Sequence, residues 1–378
     1  MKNTGLENKN LETKIKAFYI PVFDKNKFSS IWADEVNKEI LSLSNAANIE
    51  IINSQNLENI VIKKINPKYY IGQGKILEVL EKSKSFHPEL FVLNIDISPS
   101  QQKNLTSLLG HKVISKTELI YEIFINRANS SISKIQVELA NLKYIKSRLV
   151  GSYDKYDRIR GGIGIKGSGE KKLELDRRNL DKRITFLNKK LKKYETHFHN
   201  IYKNRKNIFQ VSIVGYTNAG KTSLLNLLCH TNRVSKDLLF STVDTKSKRF
   251  YIGNGKSIIL SDTIGFIRDL PPNLIDSFKT TLMEIKYSNL LMIVVDSTSD
   301  FISDHLKIVF DTLKQIKCDS IPYILVFNKI DLYNDGDSSL IALKRGYNDA
   351  FFISTRTREG VDKLKTYLIN FFKNITIV

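Results

Sequence analysis

Residues 215–222 read GYTNAGKT and match the phosphate-binding pattern G-x-x-x-x-G-K-[ST]. The preceding residues 209–214 predict a buried strand, and residues 223–228 predict the first turns of a helix. In that setting the glycines let backbone N–H groups face a phosphate, and the helix directs its positive end toward the same anion. We expect Lys221 to reach the β- and γ-phosphates and the Thr222 hydroxyl to bind Mg²⁺. This feature therefore predicts a nucleotide-binding α/β domain.

Two segments that follow the loop can complete a site for the γ-phosphate and Mg²⁺. Residues 240–245 (FSTVDT) offer the Thr242 hydroxyl to both. A predicted strand over residues 257–261 then runs into the tetrapeptide DTIG. Asp262 in that tetrapeptide can hold Mg²⁺ through water, and Gly265 can donate its backbone N–H to the γ-phosphate. The predicted catalytic residues are Lys221, Thr242 and Gly265, and the predicted Mg²⁺ ligands are Thr222, Thr242 and Asp262.

The identity of the base is predicted by the tetrapeptide NKID at residues 328–331, which follows another apolar strand pattern. Asp331 can accept both N–H donors of the guanine edge, which adenine does not offer. Lys329 would lie along the ring, Asn328 would tie neighbouring loops together, and the backbone of residues 354–355 would contact the guanine O6. The three motifs in this order predict a GTPase that uses GTP, GDP and Mg²⁺. The predicted nucleotide contacts are Gly215, Tyr216, Thr217, Asn218, Ala219, Gly220, Lys221, Thr222, Ser223, Asp262, Thr263, Ile264, Gly265, Asn328, Lys329, Asp331, Ser354 and Thr355.

The chain before this GTPase domain, which we expect over residues 208–378, divides into two predicted parts. Residues 1–126 alternate between strand and helix patterns, as is typical of a small parallel α/β domain. Residues 127–207 carry two amphipathic helix patterns, from about residue 132 and from about residue 172, and predict a long antiparallel helical hairpin. The other predicted strands cover residues 16–23, 48–52, 90–95 and 112–114, and the helices cover residues 29–43, 75–82 and 98–109.

The charge of the chain is concentrated in the predicted hairpin. The net charge is +20, and residues 131–207 hold 21 Lys and Arg against 8 Asp and Glu, a local charge of +13. The connection at residues 158–170 is rich in glycine and basic residues and is expected to be a flexible tip. Such an arm suits contact with a phosphate backbone, although a solvated helical spacer would also be basic. The predicted RNA contacts are Arg160, Lys166, Lys171, Lys172, Arg177 and Arg178.

Other sequence features favour a soluble cytoplasmic protein, which we expect to be a monomer. Cys229 and Cys318 have no metal-ligand spacing and are expected to be reduced core thiols. No apolar run approaches the roughly 18 residues needed to span a bilayer. Residues 1–16 are polar and lack the apolar segment of a signal peptide.

With these motifs in place, the chain resembles the HflX family of translation-factor-related GTPases over residues 15 to 370. The resemblance implies a ribosome-associated GTPase that binds the ribosomal RNA of the large subunit and can split stalled or idle ribosomes. It is carried by GYTNAGKTSLLN at residues 215–226, DTIGFIRDLP at 262–271, NKID at 328–331, YIGQGK at 70–75, SPSQ at 98–101, VELA at 137–140, GGIG at 161–164 and ELDRR at 174–178.

The sequence also departs from familiar GTPases. Phe266 follows the DxxG glycine where Ras-like enzymes place a water-orienting glutamine, and the resembled family shares this feature. It predicts slow intrinsic turnover and stimulation by the ribosome. In the resembled family, residues 166–178 would typically read RGPGETQLETDRR and the 240–245 segment FATLDPT, and an alanine would stand at Thr355. Charge is kept in the first segment, whereas a proline is lost from the second.

Three alternatives stay open at this point. The chain could be a GTPase of RNA processing or ribosome subunit assembly. It could be an RNA-binding scaffold that hydrolyses GTP weakly. ATP-driven RNA remodelling by the N-terminal domain is a further possibility, for which residues 1–126 show no phosphate loop.

Overall fold

The computed structural model describes residues 14–157, 168–204, 208–229, 239–240, 245–253, 255–334 and 336–375. Contacts divide the chain into two compact units, Met1–Ile120 and Tyr121–Val378. The finer division into three parts at residues 126 and 207 stays a prediction. No helix in the described part of the chain combines the length and the apolar composition needed to cross a bilayer.

The first unit is built on a parallel sheet with the strand order β3-β1-β5-β6, beside a short parallel pair of β2 and β4. Its strands are β1 (Ile15–Ile20), β2 (Val22–Asp24), β3 (Ile49–Ile51), β4 (Ile60–Ile62), β5 (Leu90–Leu93) and β6 (Lys112–Ile114). Its helices are α1 (Ser30–Ala46), α2 (Gln73–Ser83) and α3 (Pro99–Leu109), and α4 (Lys116–Arg127) runs across the boundary into the second unit. Parallel strands joined through helices confirm the small α/β fold expected for this part of the chain.

Local sequence chemistry accounts for these boundaries. The predicted single strand over residues 16–23 is wrong, because Pro21 has no backbone N–H and separates β1 from β2. The Asn53 amide then takes the place of a neighbouring strand, with Oδ1 accepting from the Tyr19 N–H and Nδ2 donating to the Tyr19 carbonyl, both at 2.9 Å. At the start of α3, Ser98 and Gln101 form a capping box, which confirms the predicted helix start.

Two long helices open the second unit. They are α5 (Ser131–Asp157) and α6 (Ser168–Asn204). α6 begins about four residues earlier than predicted, at Ser168. The helices meet through buried Leu139, Leu187 and Leu191, and an ion pair joins Arg183 to Glu138 at 2.6 Å.

The end of α4 lies against two segments of the same unit. The Phe124 ring is 4.7 Å from the Phe240 ring and 5.1 Å from the Phe278 ring, measured between centroids. Arg127 donates from its guanidinium to the Leu239 carbonyl at 2.7 Å, and burial lowers the pKa of Arg127. Leu239 and Phe240, at the start of the predicted Thr242 segment, are thus held by α4.

The remaining chain forms a sheet with the order β12-β11-β10-β7-β9-β8, in which only β8 is antiparallel to its neighbour among the described strands. The strands are β7 (Gln210–Gly215), β8 (Lys246–Gly253), β9 (Lys256–Asp262), β10 (Leu290–Asp296), β11 (Tyr323–Asn328) and β12 (Phe351–Phe352). The helices are α7 (Lys221–Leu228), α8 (Pro272–Ser277), α9 (Lys279–Lys286), α10 (Ile302–Gln315), α11 (Ser338–Gly346) and α12 (Val361–Ile375). The carboxyl ends of the parallel strands meet at one edge, where α/β sheets bind their ligands.

Candidate nucleotide-binding site

The phosphate-binding loop lies between strand β7 and helix α7, as the sequence predicts. Gly220 precedes α7 with a φ of 94°, and a Cβ there would lie 2.2 Å from Nδ2 of Asn328. Only glycine can adopt this positive φ and also leave room for the Asn328 amide. The strand and the helix predicted around the loop are confirmed.

Polar groups suited to an anion gather inside this loop. Lys221 is 7% exposed, and its Nζ donates to the carbonyls of Gly215 at 3.1 Å and Tyr216 at 2.8 Å. Burial lowers the pKa of Lys221 to about 8, while the charge of Asp262 acts in the opposite direction. Oγ1 of Thr217 is buried without a hydrogen-bond partner among the described residues. A buried cation and an unsatisfied hydroxyl fit a phosphate group, whose oxygens accept from both.

Two of the three predicted Mg²⁺ ligands are brought together. Oγ1 of Thr222 donates to Oδ2 of Asp262 at 2.6 Å, and Asp262 is fully buried at the end of β9. A hydroxyl and a carboxylate are oxygen donors of the kind that Mg²⁺ prefers, so the pair fits this ion. The third predicted ligand, Thr242, lies outside the described residues.

The DTIG segment lies directly against the phosphate loop. Thr217 donates its N–H to the Phe266 carbonyl at 2.8 Å, and Phe266 donates its own N–H to the Gly215 carbonyl at 3.1 Å. The Phe266 ring is 2% exposed and therefore contributes to packing. Thr263 and Ile264, two predicted contacts, are buried, and the Thr263 hydroxyl donates to a β7 carbonyl.

We expect Gly265→Ala to slow GTP hydrolysis about tenfold to a hundredfold, a barrier increase of roughly 1.4–3 kcal/mol. A Cβ at this position would lie 2.8 Å from Cγ2 of Thr217 and 3.0 Å from Nζ of Lys221, so the lysine would have to move. Single-turnover hydrolysis measures the effect, and a GDP titration should change less because GDP lacks the γ-phosphate. Gly346→Ala is the matched control, since a Cβ there meets nothing within 4 Å. Equal hydrolysis by the two variants would contradict this role.

The predicted guanine-binding residues are also assembled. Asn328 donates from Nδ2 to the Ala219 carbonyl at 2.9 Å and accepts from the Thr355 N–H at 3.0 Å, so it ties the phosphate loop to the segment after β12. Lys329, with a φ of 71°, donates to Asp296 at 2.6 Å. Asp331 accepts from the hydroxyl of Ser354 at 2.6 Å.

Sequence reasoning missed two of these contacts. Ser354 was expected to act through its backbone, whereas its fully buried hydroxyl holds the Asp331 carboxylate. Asp296 was not considered, although it ends the apolar strand β10 as Asp262 ends β9. An acidic residue at the carboxyl end of a buried strand is the signal that would have found Asp296.

Other predicted residues lie apart from these groups. The Tyr216 ring stacks on His305 with centroids 3.9 Å apart, and its hydroxyl accepts from the Arg268 N–H at 3.1 Å. Among the predicted RNA contacts, Arg177 and Arg178 are exposed on α6. Outside the part that the structure describes are Arg160, Lys166 and the side chains of Lys171 and Lys172.

Three family models match successive parts of the chain. They are described as GTP-binding GTPase N-terminal at residues 34–125, GTP-binding GTPase Middle Region at residues 127–205, and 50S ribosome-binding GTPase at residues 210–329. A solved structure of a GTP-binding protein from Sulfolobus solfataricus in complex with GDP is 27% identical, with a TM-score of 0.47 over 94% of this chain and 98% of that chain.

Curated relatives extend the similarity over most of the sequence. GTPase HflX of Caldanaerobacter subterraneus subsp. tengcongensis is 39% identical over 334 residues, which cover 88% of this chain and 76% of that protein. GTPase HflX of Escherichia coli (strain K12) is 35% identical over 304 residues, which cover 80% of this chain and 71% of that protein. The assembled GTP site and these relatives together establish that the chain belongs to the HflX family and is a GTPase that binds GTP and GDP.

Proposed function

We propose that this GTPase binds the large ribosomal subunit through ribosomal RNA, separates stalled or idle ribosomes as a monomer, and hydrolyses GTP faster when bound there. The observation that carries the proposal is the concentration of +13 of the net charge in residues 131–207, which directly precede the guanine-nucleotide motifs in sequence. The family model described as 50S ribosome-binding GTPase, matched at residues 210–329, supports the same partner.

At the nucleotide site, each assembled group has a proposed task. Lys221 would exchange its two backbone carbonyls for phosphate oxygens, and Asp331, oriented by Ser354, would accept from the guanine edge. Thr222 and Asp262, with Thr242, would hold Mg²⁺. Mg²⁺, when bound, neutralises charge on the phosphate oxygens. The Gly265 N–H would donate to the γ-phosphate while water attacks its phosphorus and the bond to the β-phosphate oxygen breaks.

Control of the reaction follows from Phe266. Its buried ring cannot hydrogen-bond to water, so no side chain at this position orients the nucleophile. We propose that contact with the ribosome orders the segment around Thr242 and the DTIG loop instead. A hundredfold stimulation needs only about 3 kcal/mol of transition-state stabilisation.

The arm provides the proposed contact with RNA. The ion pairs of Glu138 with Arg183 and of Lys146 with Asp181 support an antiparallel pairing of α5 and α6, because the later residue of α5 pairs with the earlier residue of α6. Antiparallel pairing would bring the end of α5 close to the start of α6, the two helix ends that meet the basic segment 158–170 in sequence. Arg177 and Arg178, exposed on α6, would bind phosphates beside it.

Isolated large ribosomal subunits are expected to stimulate hydrolysis, which is measured as multiple-turnover GTP hydrolysis with and without subunits. The expected rise is about a hundredfold or more, because the intrinsic site lacks a water-orienting side chain. Small ribosomal subunits at equal concentration serve as the control. Equal rates with both subunits, or no rise with either, would refute the proposed partner.

Neutralising Lys171, Lys172, Arg177 and Arg178 to glutamine should weaken sedimentation with large subunits. It should also reduce the slope of log affinity against log salt by up to about 3, since each lost phosphate contact removes roughly 0.7–0.9. The matched control neutralises four exposed lysines of the first unit and loses the same charge: Lys25, Lys27, Lys63 and Lys64. If both variants sediment alike, the arm has no special role.

A further inference from the structure

The side chain of Phe186 projects from α6 although its neighbour in sequence is buried. Phe186 is 46% exposed, whereas Leu187 is 1% exposed against α5. Two cations flank the exposed ring: the guanidinium carbon of Arg183 lies 5.5 Å from its centroid, and Nζ of Lys190 lies 4.7 Å from it. Both distances are in the range of cation–π contacts. A half-exposed aromatic ring therefore lies close to two positive charges.

The part of α6 around Phe186 is basic, although Arg183 also pairs with Glu138 of α5. Residues 182–193 contain six Lys and Arg and no Asp or Glu. Side chains three, four and seven residues apart share one side of a helix, so several of these cations line up with the ring. We call this set the basic–aromatic stripe; it consists of Lys182, Arg183, Phe186, Lys189, Lys190 and Lys193, all exposed. The stripe is about 16 Å long at 1.5 Å of rise per residue.

We infer that the stripe binds RNA with an unpaired base, which stacks on Phe186 while Lys189, Lys190 and Lys193 contact the adjoining phosphates. The inference rests on the proposed function and deepens it by naming the kind of RNA. A base inside a duplex has no open face, whereas a bulged or single-stranded base does. Stacking on an aromatic ring beside cations tolerates any base, so the contact provides affinity without sequence preference.

An anionic membrane is the competing partner for a basic helix with exposed apolar groups. Insertion into a bilayer needs a continuous apolar helix face, and the apolar face of α6 is used against α5, through Leu187 and Leu191. Phe186 and Leu175 are the large exposed hydrophobic residues among the described residues of α6. The charges and the single ring therefore favour RNA.

The test uses the full chain and a short fluorescently labelled oligouridine. Phe186→Ala should weaken binding about tenfold, within the 1–3 kcal/mol of one stacked base, and leave the salt slope unchanged. Phe186→Trp should retain affinity, whereas Phe186→Leu, which is apolar but not aromatic, should lose it. The double change Lys189→Gln with Lys190→Gln should reduce the slope by about 1.4. Tyr323→Ala, which removes a half-exposed ring on β11, is the control.

Each outcome decides between the two proposals. Unchanged oligouridine binding by Phe186→Ala, with unchanged helix content by circular dichroism, would overturn the inference and leave ribosome binding standing. A loss with oligouridine, together with no binding of the wild type to large subunits, would support the inference and refute the ribosomal partner. Tighter binding to phosphatidylglycerol vesicles than to oligouridine would overturn the choice of RNA.

Discussion

Lys221→Ala is expected to reduce single-turnover GTP hydrolysis by about two to three orders of magnitude, the usual cost of removing a preorganised donor from developing charge. This lysine is buried and donates to the carbonyls of Gly215 and Tyr216. We expect a bound nucleotide to replace those carbonyls with phosphate oxygens. Without this cation, part of the buried phosphate charge would lose its partner.

Thermal melting with and without GDP separates loss of binding from loss of folding. The wild type gains about 2.7 kcal/mol when GDP is present at a hundred times its Kd, and the variant should lose most of this gain. Lys363→Ala on the exposed side of α12 is the control. A variant at Lys221 that melts and hydrolyses like this control would refute the assignment of the lysine.

The second large effect is expected from Asp331→Asn, which should lower GTP affinity by about three orders of magnitude. In the proposed site two hydrogen bonds would link the carboxylate to guanine. Each hydrogen bond to a charged group is worth roughly 1.5–3 kcal/mol, and about 1.4 kcal/mol is a factor of ten. The amide retains an oxygen for the hydroxyl of Ser354, so the side chain should stay in place. Its new N–H donor complements the C2 carbonyl of xanthine, so xanthosine triphosphate should bind better.

Competition of GTP and xanthosine triphosphate against labelled GDP measures this reversal of base preference. Asp349→Asn, at an exposed position of the same unit, supplies the control for the loss of one negative charge. If GTP affinity fell without any gain for xanthosine triphosphate, Asp331 would not contact the base edge. In that case Ser354 and Asp331 would form a structural pair.

The parts of the fold and of the site that depend on backbone geometry could be predicted from sequence. Gly220 is an example. Its left-handed backbone lies so close to the Asn328 amide that only glycine fits, and the glycine itself can be read in the sequence. The start of helix α3 could be predicted because the side chain of Ser98 caps an N–H only three residues away. Such signals depend only on residues that are close together in sequence, so the sequence pattern shows them directly.

Contacts between distant residues could not be predicted in this way. Tyr216 stacks on His305 across 89 positions in sequence, and Phe124 meets Phe240 across 116. Neither pair leaves a periodic signal, because each depends on how helices and strands pack after they form. The Ser354–Asp331 bond has the same origin, since it joins the ends of two adjacent strands.

The position of Asn328 has a consequence for the energetics of nucleotide binding. A single amide fixes the distance between the phosphate loop, through Ala219, and the base-binding segment, through Thr355. We therefore expect a nucleotide to act as a bivalent ligand whose phosphates and base match the fixed distance between these two segments. Once the phosphates are bound, the base is held at a high effective concentration near its own binding segment. Guanosine and pyrophosphate added as separate molecules lack this linkage, so together they will occupy the same two pockets far more weakly than GDP.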